Sequence, residues 1–153
     1  FIQFGNMGGI DFGLNYKLGA MQAGLGISRI DLVKEQLETR HKNANYIVSN
    51  IKNKFVEELK IVDGGSPNYY SLILKLNFDN NLRRIKLLEN CGIPSDISRY
   101  DYKVLYEYPV FERFKRICPN SEKFAKSITT IPVHPALTRQ ELDYIIENIN
   151  SLS

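Results

Sequence analysis

A run of strand-forming residues from Tyr70 to Leu76 lies between two stretches whose apolar residues repeat with the period of a helix. Upstream, apolar positions fall on one stripe between Val33 and Phe55, which predicts a long helix. A short strand over residues 59–62 and a turn over residues 63–68 are expected to precede the run. Helices and strands in this order favour an α+β fold, with helices on one face of a small sheet.

The second half of the chain supplies the remaining helices and a further strand. The pattern predicts a helix over 80–90, ended by Gly92, then an extended segment from Ile93 to Tyr108. A short helix over 121–127 and a strand over 129–133 follow. Thr138 and Glu141 have the spacing of a capping box at the start of a last helix. The positions predicted to face inward in the two longer helices are Leu82, Ile85, Leu88, Cys91, Leu142, Ile145, Ile146 and Ile149.

Length and composition exclude several functional classes. The chain has 153 residues, 43% of them hydrophobic and 24% charged, which suits one domain or a small domain with an appended arm. Its net charge of +3 is dispersed, so we expect no nucleic-acid partner. No apolar run has the length of a membrane span. Two isolated cysteines, Cys91 and Cys118, give no metal-ligand spacing and suit a reducing cytoplasm.

We expect three segments along the chain. Residues 1–18 are rich in glycine and predict a loop or arm. Residues 19–55 predict a long helical connection that begins near Gly19, and residues 56–153 predict a small α+β domain. The apolar positions of the helix from Met21 to Val33, which include Leu25, are expected to drive self-association of this chain on its own.

Two motifs carry a resemblance to a known family. The stretch from Gly13 to Ala23 reads Gly-Leu-Asn-Tyr-Lys-Leu-Gly-Ala-Met-Gln-Ala, and far downstream lie Cys118–Lys123 and Ile131–Thr138. The first stretch resembles the Asn-Tyr-Arg motif of DegT/DnrJ/StrS-type nucleotide-sugar aminotransferases, which depend on pyridoxal 5'-phosphate (PLP). The downstream stretch resembles a second signature of that family. The two stand in the family's order.

The resemblance implies both a fold and a reaction. The chain would be the C-terminal small domain of a fold-type-I PLP-dependent transferase, with residues 1–18 as an arm from the large domain. The Schiff-base lysine is then expected upstream of Phe1, so this piece alone would be inactive. The full enzyme would be a cytoplasmic homodimer that transfers an amino group from glutamate or glutamine to a nucleotide-linked keto-sugar. Its product would enter surface polysaccharide or amino-sugar biosynthesis.

The resemblance also assigns roles to three residues. Asn15 would reach across the dimer interface and donate its amide N–H to the PLP phosphate; from the residues alone it is a turn residue. Lys17 stands where the family has arginine, so it would hold the amino donor's carboxylate more weakly, or simply meet solvent. Tyr106 stands where a substrate-contacting histidine is usual. The alternative for the surrounding tyrosines is an aromatic cluster over the sheet.

A second reading belongs to a different class of function. The chain could be a non-catalytic interaction module that dimerises through residues 1–33. Coding sequence upstream of Phe1 separates the two readings, because an aminotransferase needs a large domain there. The two histidines support no catalytic or metal-binding constellation: His134, beside Pro135, is expected to be structural, and His41 exposed.

Overall fold

The computed structural model describes residues 18–153, so the predicted arm, apart from Leu18, lies outside the described residues. The chain divides into two compact units, Phe1–Lys34 and Glu35–Ser153. The helices are α1 (Ala20–Ile30), α2 (Val33–Asn50), α3 (Asn81–Asn90), α4 (Asp96–Arg99), α5 (Pro119–Ala125) and α6 (Arg139–Ser151). The strands are β1 (Val56–Glu58), β2 (Leu72–Leu76) and β3 (Ile128–Ile131).

The three strands form one antiparallel sheet in the order β1-β2-β3. The predicted run from Tyr70 to Leu76 is confirmed as the central strand. The strand predicted over residues 59–62 is wrong, because the chain pairs three residues earlier, with Val56 opposite Leu76. That register buries Val56, whereas Val62 is 75% exposed. Burial on one face of a sheet fixes the register more strongly than local strand propensity does.

The core lies between one face of the sheet and the helices. Alternation along β2 places Leu72, Leu74 and Leu76 inward, while Lys75 points outward and pairs with Glu57 at 2.9 Å. The last helix buries the four residues that its periodicity predicts, and α2 adds Ala44 and Ile47. The unit formed by residues 35–153 is therefore α+β, as expected. Among the described residues, no helix combines the length and apolar character needed to cross a membrane.

Helix α2 ends at Asn50, five residues before the predicted Phe55. Its continuation is prevented by contacts with α6: the Asn150 side chain accepts hydrogen bonds from the backbone N–H groups of Lys52 and Asn53. The Asn53 side chain in turn donates to the carbonyls of Ile149 and Leu152. These side-chain bonds replace the helical ladder and tie the end of α2 to the C-terminal helix.

Helix α3 matches its predicted length but not its predicted inner face. Ile85 and Leu88 are buried, whereas Leu82 is 61% exposed and Cys91 is also exposed, so two of the four expected inward positions are wrong. The buried stripe of α3 is therefore narrower than the spacing of its apolar residues predicts. Asn80 caps the helix by accepting from the Arg83 N–H, and Gly92 follows it with φ of +77°, as its type predicts.

The segment predicted to be extended from Ile93 to Tyr108 is instead folded into short helical turns. Besides α4, it contains a 3₁₀ helix over Leu105–Glu107, and a second 3₁₀ helix, Pro109–Phe114, follows directly after the segment. Local bonds such as that from the Tyr102 N–H to the Ile97 carbonyl hold these turns. The strand-forming tyrosines therefore follow the turn hydrogen bonds rather than their β-propensity. Tyr100 and Tyr102 stack on each other, with ring centroids 5.8 Å apart, and both remain about half exposed.

Helix α1 has an apolar surface with no buried side chain. It begins at Ala20, with Gly19 at the N-cap as expected. Met21 is 89% exposed and Leu25 is 62% exposed.

The capping box of α6 is confirmed. The Thr138 hydroxyl accepts from the Glu141 N–H at 3.3 Å, and the Glu141 carboxylate accepts from the Thr138 N–H at 2.7 Å. The bond from the Thr138 backbone, followed by that from its hydroxyl, holds the pKa of Glu141 below its ordinary value of 4.5. A carboxyl with a lowered folded pKa stabilises the fold above its unfolded pKa, and this contribution is lost as the pH falls through the folded value.

Thr138→Ala is expected to lower the free energy of unfolding by about 1 kcal/mol at neutral pH, because it removes the N-cap of α6. The loss should shrink as the pH falls through the lowered pKa of Glu141, because protonation of Glu141 weakens the box in the unsubstituted protein too. Urea denaturation at pH 7 and pH 3 measures both values. Thr39→Ala is the control, since that exposed hydroxyl bonds only to the Glu35 carbonyl within α2. Equal losses at the two pH values would contradict the capping account.

Candidate functional site

Tyr106 lies at the centre of the 3₁₀ helix Leu105–Glu107 and is half-buried. Its hydroxyl donates a hydrogen bond of 2.6 Å to Oε1 of Glu122, in the first turn of α5. That bond, and then burial, raises the pKa of Tyr106 to about 12. The phenol therefore stays protonated and neutral at physiological pH, and its proton is directed at Glu122. A backbone hydrogen bond from Cys118 to the phenol oxygen acts on the pKa in the opposite direction, so one lone pair remains for a further donor.

A cleft of about 390 Å³ lies beside Glu122, between α3, α4 and α5. Its floor includes Ile85 and Ile97, and its rim includes Asp101 and Lys103. Asp101 has φ of 50°, an uncommon conformation for a residue other than glycine. The Tyr108 hydroxyl donates to the Asp101 carbonyl at 2.9 Å. A polar rim over an apolar floor is the usual make-up of a small-molecule site.

The ion pair on this rim is close. Lys103 Nζ lies 2.7 Å from Asp101 Oδ2 and 4.9 Å from the centroid of the Tyr108 ring. The hydrogen bond to Asp101 raises the pKa of Lys103, so the ammonium stays charged. The lining thus holds two lysines, Lys103 and Lys126, and three carboxylates, those of Asp101, Glu107 and Glu122. Such a surface suits a ligand with several hydroxyl groups better than a purely apolar one.

The sequence-predicted site residues divide into two groups. Tyr106 is placed by the structure, whereas Asn15 and Lys17 lie outside the described residues. Their predicted roles stay predictions. The sequence did not predict a role for Glu122, although this residue stands inside the second motif, because no sequence signal shows that residues 106 and 122 meet in the fold.

The structure describes both histidines. His134 is exposed, and its backbone carbonyl accepts from the Asn43 side chain at 3.1 Å, a contact that does not involve the ring, so the structural role expected of the histidine stays a prediction. His41 was expected to be exposed but is half-buried, with its ring edge-on to Tyr69 at 4.9 Å. Within residues 18–153, no group of three or more histidine, cysteine or acidic side chains could hold a metal ion.

The sequence of the chain is similar to those of a known protein family. The sequence profile of the DegT/DnrJ/EryC1/StrS aminotransferase family matches residues 2–150. The lipopolysaccharide biosynthesis protein RfbH of Salmonella typhimurium is 23% identical over 145 residues, which are 88% of this chain and 32% of RfbH. The dTDP-3-amino-3,6-dideoxy-alpha-D-galactopyranose transaminase of Aneurinibacillus thermoaerophilus is 18% identical over 146 residues, 90% of this chain and 37% of that enzyme.

The fold of the chain is also similar to that of solved sugar aminotransferase structures. The crystal structure of the sugar aminotransferase CalS13 from Micromonospora echinospora superposes with a TM-score of 0.80 at 20% identity, covering 92% of this chain and 37% of that one. The chain spans about a third of the length of the curated relatives it matches.

Proposed function

The chain belongs to the DegT/DnrJ/EryC1/StrS aminotransferase family, and from that premise we propose that it is the C-terminal part of a PLP-dependent enzyme that aminates a nucleotide-linked keto-sugar. The observation that carries the proposal is the family match over residues 2–150, combined with coverage of only 32% and 37% of two curated relatives. The proposed domain is the small domain of a fold-type-I transferase, made by residues 56–153. Residues 19–55 connect it to a large domain that supplies residues 1–18 as an arm.

The cofactor would be held in part by Asn15. Its amide is a neutral donor suited to a phosphate oxygen, and in a homodimer it would serve the neighbouring subunit. The lysine that carries the cofactor would lie upstream of Phe1. When bound, PLP supplies an electron sink for the transfer of the amino group. Lys17 would hold the carboxylate of glutamate or glutamine as a point charge, without the two parallel bonds that an arginine makes.

Tyr106 would contact the sugar. Because its proton is directed at Glu122, 2.6 Å away, its oxygen is set to accept from a sugar hydroxyl. A histidine cation could instead donate to that position, so the tyrosine changes which sugars fit rather than which reaction occurs.

Tyr106→Phe in the full-length enzyme is expected to lower kcat/KM for the sugar about tenfold, through the loss of one oriented hydrogen bond. The KM for the amino donor should stay the same, because the hydroxyl faces Glu122 and the sugar. Tyr100→Phe is the matched control: it removes a hydroxyl from a nearby, half-exposed ring that does not line the cleft. Steady-state kinetics with each substrate varied in turn measure both effects. Equal changes in the two variants would remove Tyr106 from the sugar site.

The homodimer would use the apolar surface of α1. Leu25→Glu is expected to shift the chain toward monomer in size-exclusion chromatography, because it places a charge on that surface. Leu82→Glu is the control, since Leu82 of α3 is 61% exposed and Leu25 of α1 is 62% exposed. An unsubstituted chain that elutes as a strict monomer at high concentration would contradict the prediction.

Amino transfer itself tests the proposal against the stand-alone interaction module. The full-length gene product is mixed with PLP, a nucleotide-linked keto-sugar and either [¹⁵N]glutamate or [α-¹⁵N]glutamine, because transamination moves the α-amino nitrogen of the donor. Transfer of ¹⁵N to the sugar, detected by mass spectrometry, supports an aminotransferase and identifies the donor. If the gene begins close to Phe1 and its product transfers no label, the stand-alone interaction module is the function that remains.

The free thiols of Cys91 and Cys118 support a cytoplasmic location for the protein under either proposed function.

A further inference from the structure

A second cleft, of about 230 Å³, opens where β2 begins and β3 ends. It shares no lining residue with the Tyr106–Glu122 pair. Two arginines, one carboxylate, three hydroxyls and a histidine line it: Arg40, Arg99, Asp96, Tyr70, Ser71, Thr130 and His134. They come from α2, α4, β3 and the residues that precede β2 and follow β3, so the cleft is assembled by the fold of residues 35–153.

Arg40 is fixed in place from one side. Its Nη1 donates to the carbonyls of Tyr69 at 3.1 Å and Tyr70 at 3.0 Å, and the guanidinium carbon lies 6.0 Å from the centroid of the Tyr70 ring. Tyr69 adopts φ of 46°, an outlier for a bulky residue. Because both carbonyls use Nη1, the N–H groups on Nε and Nη2 have no acceptor within residues 18–153 and can donate to a ligand.

Asp96 is also held, but not by an arginine. Its Oδ2 accepts from the Ser71 hydroxyl at 3.1 Å, and its backbone N–H donates to Thr130 Oγ1 at 2.7 Å. Thr130 is buried, and its hydroxyl also lies 3.4 Å from that of Ser95, so this wall of the cleft is a fixed network.

The charges in the cleft do not neutralise one another. Among the described residues, the ion pairs closer than 4.0 Å involve other side chains, and none includes Arg40, Arg99 or Asp96. Two guanidinium groups and one carboxylate leave one net positive charge among these three side chains. Guanidinium groups bind carboxylate and phosphate oxygens through charge-assisted hydrogen bonds, often two at a time.

We propose that this cleft binds a small oxyanion, a carboxylate or a phosphate group, between Arg40 and Arg99. Asp96 then accepts from a hydroxyl or ammonium group next to that anion. The volume lies below the roughly 300–1,000 Å³ of sites for drug-sized ligands, so the ligand is smaller than a nucleotide-sugar. The site depends on residues that the proposed aminotransferase chemistry does not use, and it stands or fails independently of that chemistry.

Backbone amide shifts of the ¹⁵N-labelled full chain test the proposal. Sodium phosphate and sodium glutamate are titrated separately, against sodium chloride at matched ionic strength. We expect saturable shifts at Ser71, Asp96 and Thr130. Saturation by phosphate alone identifies a phosphoryl ligand, and saturation by glutamate alone identifies a carboxylate. Linear shifts that sodium chloride reproduces would overturn the proposal.

Two arginine variants make the test specific. Arg99→Gln should weaken the saturable binding about tenfold by removing a charge-assisted hydrogen bond. Arg99 is exposed, and its contact in the fold is with the Tyr100 ring at 5.4 Å, so the variant should keep its fold. Arg83→Gln removes the same charge from an exposed position on α3 and should leave binding unchanged. Equal weakening in both variants would show nonspecific charge attraction and overturn the site.

Discussion

Leu74→Ala is expected to lower the free energy of unfolding by about 3 kcal/mol, enough to remove much of the stability of a small domain. Leu74 is 0% exposed at the middle of the central strand. Its side chain packs in the cluster that includes Leu72 of the same strand, Ile131 of β3 and Ile149 of α6. Truncation there leaves a cavity that neither the sheet nor the helices can close without breaking their own hydrogen bonds. Urea denaturation followed by circular dichroism measures the change.

The neighbouring residue provides the control for this prediction. Ile73 lies on the same strand, points to the opposite face and is 37% exposed. Ile73→Ala removes a similar amount of side chain and should cost about 1 kcal/mol, because most of the lost surface was never fully buried. Equal losses in Leu74→Ala and Ile73→Ala would mean that the sheet does not bury the face described here.

Asn15→Ala in the full-length enzyme is expected to weaken PLP binding by about tenfold to a hundredfold. The estimate corresponds to the loss of one hydrogen bond to a charged phosphate. The expectation rests on the proposed role of Asn15, since an amide that contacts the phosphate cannot be replaced by a methyl group. Titration with PLP, followed by the absorbance of the bound cofactor, measures the affinity.

Asn6→Ala is the matched control for Asn15→Ala. Asn6 is an asparagine of the same glycine-rich stretch, but it lies outside the Asn-Tyr-Lys motif. Its substitution should leave the affinity for PLP unchanged. Equal affinities in Asn15→Ala and the unsubstituted enzyme would remove Asn15 from the cofactor site, while the family membership would stand.

The parts of the fold that the sequence predicted are those whose signals are local. The last helix carries its N-cap, its capping partner and its apolar face within a short stretch, and all of them are confirmed. The central strand is equally clear, because strand formers alternate there between the two faces of the sheet. Gly92 identified the end of α3 because few other residues adopt its positive φ.

The parts that the sequence did not predict depend on distant partners. Helix α2 ends early because Asn53 and Asn150, far apart in the chain, bond to each other's segments. The register of β1 is set by the burial of Val56 against the rest of the core, which propensity does not report. For the site, the family resemblance directed attention to Tyr106, but only the folded chain brings Glu122 to its hydroxyl.

The central claim, that this chain is the C-terminal part of a PLP-dependent aminotransferase, is tested most directly by an absorbance spectrum. The native-length gene product is purified with PLP, and its spectrum is recorded before and after glutamate is added. If the chain is part of such an enzyme, we expect a yellow band of bound cofactor that bleaches with glutamate. The 153-residue chain alone should show no such band. A native-length product that shows no band would contradict the claim.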